Sequence, residues 1–260
     1  MHFYTREGEP RYFVEMKTRP GELRPTRTSD AKKEGWVPSV TTILNMLDKP
    51  ALINWRIDQH LIQAYKSLPG KYKIPEYVKD EETYIRFIKD MTENEMDKAP
   101  KAGTDLHKLM EKYWPGEELA KEEISICKPI ADAIIEKTGQ AQFGVEERFS
   151  HPSGFAGMVD LFTDDWVIDY KTKQTADKFK PGKMAYPDHA RQLAAYREGL
   201  GLPKANCANV FVCLENGEID FHVHKEEDLQ KGFATFMDCL SIWKRENYDS
   251  SWCIDTEAMG

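Results

Sequence analysis

A chain of 260 residues with 40% hydrophobic and 31% charged residues is long enough to bury a sizeable core and has the composition of a water-soluble globular protein. No apolar run approaches the ~20 residues of a membrane span, and the opening Met1-His2-Phe3-Tyr4-Thr5-Arg6 lacks the apolar core of a signal peptide, so a cytoplasmic or cytosol-like compartment is expected. The formal net charge of −8 disfavours nonspecific coating of nucleic acid. In chain order, Arg11 to Met16 reads as a short strand and Thr18 to Gly35 as a polar loop or arm rich in Pro and Gly. Ser39 can cap a helix from Val40 to Leu47. Helices are predicted at about 51–67, 80–97, 102–114 and 122–138, the last stopping at Gly139. Strands follow at 142–149, 154–163 and 166–172, then a helix near 185–200, strands at 208–214 and 217–224, and a helix over 226–246.

The segment from Gly154 to Thr172, GFAGMVDLFTDDWVIDYKT, carries the chemistry. Val159, Leu161 and Phe162 favour one strand, and Val167, Ile168 and Tyr170 the next, with Thr163-Asp164-Asp165 as the turn. Side chains alternate along a strand, so Asp169 and Lys171 share a face about 6.6 Å apart. Asp160 then lies across the hairpin. Asp169 interrupts the apolar run Trp166-Val167-Ile168, where a charge is costly unless paired or metal-bound. Two converging acids repel unless a cation sits between them, and oxygen ligands of this kind suit Mg²⁺. Asp-x-Lys alone is a common tripeptide, and Lys171 could equally be a strand-end charge.

Two further pieces flank that segment. Gly103-Thr104-Asp105-Leu106-His107 precedes it, with Leu106, Leu109, Met110 and Tyr113 at helical spacing and His107 beside that stripe. Imidazole there serves either as a hydrogen-bonded helix residue or as a metal ligand. Gln192 and Tyr196 follow it as an i, i+4 pair, about 5–6 Å apart on one helix face. On the strand before, Val145, Glu147 and Phe149 share a face, which makes Glu147 an outer ligand, a supporting acid or an edge-strand charge.

Gly-Thr-x-x-His, Gly-x-x-Asp, Asp-x-Lys and Gln-x-x-x-Tyr, in that order over residues 103–196, resemble the RecB-like branch of the PD-(D/E)XK nuclease superfamily. Val37-Pro38-Ser39-Val40-Thr41-Thr42-Ile43-Leu44, with Trp55-Arg56, also resembles the lead-in of phage exonucleases and of the mitochondrial genome-maintenance exonuclease. The acid before x-Lys is often Glu in that superfamily and is Asp169 here. The resemblance implies an α/β, restriction-endonuclease-like core with a central mixed sheet flanked by helices. An N-terminal helical elaboration over residues 1–100 would pack on a nuclease core over 101–260. It implies a DNA exonuclease dependent on Mg²⁺ or Mn²⁺, acting in replication, recombination or repair, with a same-fold endonuclease or a non-catalytic DNA-binding scaffold as alternatives. By the same resemblance Asp160, Asp169 and Lys171 are catalytic, and His107, Asp160, Asp169 and the Tyr170 carbonyl hold the metal. Gln192 and Tyr196 would contact DNA that is single-stranded or has a free end, with Lys173 and Arg191 as further DNA-binding candidates from their charge.

Charge distribution points the same way. Residues 170–205 carry 8 Lys/Arg against 3 Asp/Glu, whereas 206–260 carry 4 against 11. Lys171, Lys173, Lys178, Lys180, Lys183, Arg191 and Arg197 are therefore candidates for phosphate contacts. Trp36, Trp55 and Tyr186 could stack on unpaired bases. The acidic 206–260 segment is a candidate surface for replication or recombination proteins. Cys127, Cys207, Cys213, Cys239 and Cys253 show no zinc spacing and no tight cluster, so reduced thiols and no iron–sulfur cluster are expected.

Overall fold

The computed structural model describes residues 1–68, 75, 78–96 and 98–248. Cys253 and the end of the acidic segment lie outside the described residues. The chain divides into two compact units, residues 48–106 and the remainder.

In the smaller unit, α3 (Pro50–Lys66) packs on α4 (Glu81–Met96). Ser67 and Tyr84 join the pair through a 2.7 Å hydroxyl–hydroxyl hydrogen bond. Helix α5 (Lys98–Tyr113) begins in this unit and ends in the larger one.

The larger unit opens with β1 (Phe3–Tyr4), β2 (Phe13–Met16), β3 (Arg19–Pro25), α1 (Thr28–Glu34), β4 (Val37–Pro38) and α2 (Val40–Leu44). Ser39 caps α2 as expected, its Oγ accepting the Thr42 N–H at 3.0 Å. The expected loop over 18–35 is instead a strand and a helix. β3 pairs antiparallel with β2 although nearly all of its side chains are exposed. Backbone hydrogen bonds hold it, aided by Glu15 accepting the Gly21 N–H at 2.7 Å. A two-pronged ion pair from Arg24 to Asp30, 2.7 and 2.8 Å, ties this ribbon to α1.

The main sheet holds β5 (Gly144–His151), β6 (Phe155–Phe162), β7 (Trp166–Lys173), β8 (Asn206–Cys213) and β9 (Ile219–Val223), in that spatial order. Every neighbouring pair is antiparallel except β7–β8, which is parallel. A parallel neighbour requires a crossover. The chain supplies it as α7 (Pro187–Gly199), which starts on a proline and crosses the sheet on its buried Leu193, Ala194 and Ala195. Helix α6 (Lys121–Thr138) reaches β9, and its end at left-handed Gly139 is where the sequence places it. Helix α8 (Glu226–Asn247) lies on α7 and brings Phe236, Leu240 and Trp243 into one core with Phe3, Ile43, Phe155 and Leu193. The result is a mixed five-stranded sheet flanked by helices, the α/β architecture of a restriction-endonuclease-like core.

Helices α7 and α8 approach so closely that a Cβ at Gly232 would meet the Ala190–Arg191 backbone at 3.1 Å. Buried Arg197 locks the same pair by donating to the exposed Glu226 at 2.7 and 3.1 Å. Gly232→Val is therefore expected to cost about 1–3 kcal/mol through overpacking. The check is thermal unfolding, where each kcal/mol moves Tm by about 2–4 °C in a chain of this size. An unshifted Tm would mean the contact is loose.

Candidate active site

The hydrogen-bonded ladder between β6 and β7 registers only Leu161 with Ile168 and Phe162 with Val167. One step further, the Asp160 carboxylate takes the next backbone donor, accepting the Tyr170 N–H at 2.9 Å. The side chain of Asp160 thus opens the two strands where β6 carries it and β7 carries Asp169. Trp114 steadies the far side of β7 by donating its indole N–H to the Tyr170 hydroxyl at 2.8 Å.

Asp169 is 3% exposed. Burial pushes its carboxyl above the ordinary value, Lys171 pulls it down and Asp160 pushes it up again. Three donors compensate that burial. Lys171 Nζ lies 2.5 Å from Oδ2, the Asn209 amide donates to Oδ2 at 2.8 Å, and the Gln192 amide donates to Oδ1 at 3.2 Å. Lys171 also donates to Gln192 Oε1 at 3.3 Å, and Gln192 donates to the Tyr196 hydroxyl at 2.9 Å. One residue, Gln192, therefore touches the acid, the lysine and the tyrosine. Gln192 and Tyr196 turn inward to this network; Tyr196 is buried against Phe149 and is not placed to meet a phosphate backbone. A Cβ at Gly157 would press to 2.8 Å on the Phe149 ring and 2.9 Å on the Tyr196 ring, so that glycine of Gly-x-x-Asp makes room for both.

His107 Nδ1 stands 3.4 Å from Asp160 Oδ1, and its ring meets Tyr170 edge-on at 5.7 Å. Burial lowers its pKa, but the hydrogen bond and charge of Asp160 and the charge of Asp169 outweigh that, leaving it raised. The strand acid nearest the site is Glu146, not Glu147. Glu147 is exposed opposite Val159. Glu146 has φ +53°, a left-handed conformation uncommon for a side-chain-bearing residue, and it breaks the pairing opposite Asp160. Its carboxyl is raised to about 7, first by burial and then by the charges of Asp160 and Glu111. Strict alternation points to Glu147 instead, because it gives no sign of the left-handed step that takes Glu146 out of the ladder.

Of the basic residues, Lys178, Lys180 and Lys183 are exposed. Lys173 is half-buried with its ammonium 5.9 Å from the Tyr186 ring centroid, and Arg191 pairs with Asp188 at 2.6 Å. Arg197 is buried and committed to Glu226, which removes it from the candidate phosphate contacts. Tyr186 is 58% exposed, whereas Trp36 packs against the main core. Trp55 is partly exposed in the smaller unit.

The donor set of Asp160, Asp169 and His107, with Glu146 nearby, suits a hard divalent cation. Burial raises both Glu146 and Asp169, and the charge of Asp160 raises each further, a repulsion that such a cation would relieve. Among the described residues no three His, Cys, Asp or Glu side chains are already drawn into a metal-sized cluster. Asp169 faces its three donors and Asp160 faces His107 and Tyr170. Cys127, Cys207, Cys213 and Cys239 are buried free thiols, with Cys127 pushed up to about 11 and Cys207 to about 12 by burial.

No family model matches the chain, and no curated protein does. Two solved structures show partial likeness. One is an alkaline exonuclease from Laribacter hongkongensis, at 18% identity over 50% of this chain and 76% of that one, with a TM-score of 0.28. The other is a candidate exonuclease from Eubacterium rectale, at 14% identity over 75% of this chain and 79% of that one, with a TM-score of 0.34. At those scores neither likeness carries an argument, and the fold assignment rests on the chain's own sheet order and register. No described helix is long and apolar enough to cross a membrane.

His189, in the first turn of α7, gives a pH-dependent signature. Its Nδ1 accepts the Tyr186 N–H at 3.2 Å, so that nitrogen must carry a lone pair. Burial first, and then the charge of Lys171, hold its pKa down to about 3. The unfolded chain takes up this proton below about pH 6.5, while the folded chain waits until about 3. His189 thus contributes stability that is complete above 6.5 and is lost as pH falls through that window. His189→Gln should lose less Tm than the unaltered chain between pH 7 and pH 5. Parallel Tm-against-pH curves would contradict the assignment.

Proposed function

We infer that this chain is a metal-dependent nuclease that hydrolyses phosphodiester bonds in DNA. The observation carrying this reading is the meeting of Asp160, Asp169, Lys171 and His107 at the point where β6 and β7 part. Asp160 and Asp169 would hold a Mg²⁺ or Mn²⁺ ion, with the His107 imidazole and the Tyr170 carbonyl completing the protein's share. When bound, such an ion supplies Lewis acidity toward the scissile phosphate and lowers the pKa of water.

The remaining chemistry belongs to the side chains. Lys171, paired with Asp169, orients the attacking water and offsets negative charge developing on the phosphorus oxygens. Gln192 holds the lysine and Asp169 in fixed relation through its two amide atoms. Exposed Lys178, Lys180 and Lys183, with Lys173 and Arg191 nearer the site, attract and orient the phosphate backbone without reading sequence. Tyr186, exposed at the start of α7, offers a ring on which an unpaired base could stack. The finer reading is an exonuclease acting on DNA ends or single strands in replication, recombination or repair, supported by the order of the four sequence motifs.

Linear and circular DNA, each single- and double-stranded and end-labelled, separate the readings in Mg²⁺. An exonuclease degrades the linear forms and spares the circles; loss of the circles would favour an endonuclease. Lys171→Ala and Asp160→Asn should each reduce kcat by about 10²–10³ or more, the scale of losing one charge-stabilising group at a reacting centre. If a contaminant-free Lys171→Ala preparation still digests DNA at the original rate, the mechanism is wrong. His107→Ala should demand more Mn²⁺ for half-maximal rate, and an unchanged titration would remove it from the ligand set.

A further inference from the structure

Strand β8 reads Asn-Cys-Ala-Asn-Val-Phe-Val-Cys and is buried along nearly its whole length. Asn209 in its middle has no solvent exposure. A primary amide there is costlier than the valine or isoleucine a central strand favours, unless its hydrogen bonds are made. They are made to the proposed hydrolytic centre. The parallel register sets Asn209 directly beside Asp169, and its Nδ2 donates to Asp169 Oδ2 at 2.8 Å and to the Asp169 carbonyl at 3.3 Å.

The other end of the amide leads away from the site. Asn209 Oδ1 lies 2.7 Å from Nε2 of His224, itself only 8% exposed. The chemistry fixes every polarity along this line. An ionised carboxylate only accepts, so the amide NH₂ must face Asp169. The amide oxygen therefore faces His224, and the His224 Nε2 must carry the hydrogen. His224 also lines a cleft of about 390 Å³ with His222, Arg191, Asp228 and Lys231. That opening leaves room for a changed side chain at His224 without collapse of the sheet.

We propose that Asn209 and His224 are positioning residues for the hydrolytic centre, a buried relay in which His224 fixes the amide of Asn209 and Asn209 fixes the carboxylate of Asp169. The proposal rests on the nuclease reading above. Asp169 draws on three donors, and two of them, Lys171 and Gln192, belong to the working side of the site. Asn209 approaches from the neighbouring strand β8, on the side away from Gln192. It keeps one carboxylate oxygen anchored while Lys171 serves the reaction. Nothing in the Asn209–His224 pair touches the reacting atoms, so its effect is on geometry.

The experiment compares the full-length chain with Asn209→Leu, His224→Leu and His224→Gln. Mn²⁺ binding without DNA is read by calorimetry, kcat and KM on linear DNA in Mg²⁺, and folding by cooperative thermal unfolding. Disturbing a group that orients a metal ligand costs about 10–100-fold in metal affinity or activity. His224→Leu and Asn209→Leu should therefore weaken Mn²⁺ binding and reduce kcat by about that factor with little change in KM. His224→Gln, whose amide N–H can still donate to Asn209, should stay within a few-fold of the unaltered chain. A folded His224→Leu with unaltered Mn²⁺ affinity and kcat overturns the relay, and so does equal loss in the Leu and Gln variants. If Asn209→Leu fails to fold, the two His224 variants decide the matter. An unaltered chain that cleaves no DNA and binds no Mn²⁺ instead overturns the nuclease reading itself.

Discussion

Burying the charge of Asp169 in the middle of a sheet is the constraint around which the larger unit is arranged. An isolated carboxylate loses several kcal/mol on leaving water even after its surroundings relax. Each compensating donor comes from a different element: Lys171 from the same strand, Gln192 from the crossover helix, Asn209 from the parallel neighbour. For Gln192 to arrive, α7 must lie close to the sheet. Leu193, Ala194 and Ala195 allow it by presenting a mostly small, fully buried face. For Asn209 to arrive, β8 must run parallel to β7 and in register with it. The crossover through α7 thus satisfies both requirements with one connection.

Asp160 adds a second constraint, because it replaces a backbone acceptor with a side chain. A ladder that continued past Leu161 and Ile168 would cover both strands with regular pairing. The carboxylate of Asp160 on the Tyr170 N–H ends that pairing yet leaves the donor satisfied. The Tyr170 N–H thus leaves the ladder without losing a hydrogen-bond partner. The left-handed Glu146 sits on the other side of the same opening, opposite Asp160 in the β5–β6 register. Backbone strain of this kind persists where surrounding structure over-determines it, and here it brings a third acid toward two others.

Much of this was legible from residues alone because it is local. Helix limits at Ser39 and Gly139, the hairpin around Asp164-Asp165, and the alternation bringing Asp169 and Lys171 to one face all follow from short-range rules. Pairing Gln192 with the site was suggested by the order of motifs, but its inward bond to Asp169 was not. What stayed hidden is non-local or irregular. Glu146 escapes any alternation argument through its positive φ. Asn209 and His224 gain meaning only from the β7–β8 register and the β8–β9 hairpin, which no local pattern specifies. Strand β3 carries almost no buried side chain, so hydropathy is silent about it. Arg197 looked like one more surface cation on a basic segment until α8 supplied Glu226.

The removal of Arg197 sharpens the electrostatic picture. The exposed lysines that remain, Lys178, Lys180 and Lys183, lie on the connector between β7 and α7. That connector is pinned to the sheet by Phe179 and Met184 against Phe211 and Cys213. It is also tied to the turn and strand beyond β8, where Glu215 accepts the Ala176 N–H at 2.6 Å and Asp220 accepts the Gly182 N–H at 2.9 Å. The lysines are therefore presented from a fixed surface that begins three residues after Lys171. At physiological ionic strength exposed charges are screened over about 8 Å. A phosphate approaching this surface meets these cations together with the acids that share it, Asp177, Glu215 and Asp220, and is screened from acids farther away. A net charge of −8 is thus compatible with a DNA-directed site, because the local field, not the sum, acts on the substrate.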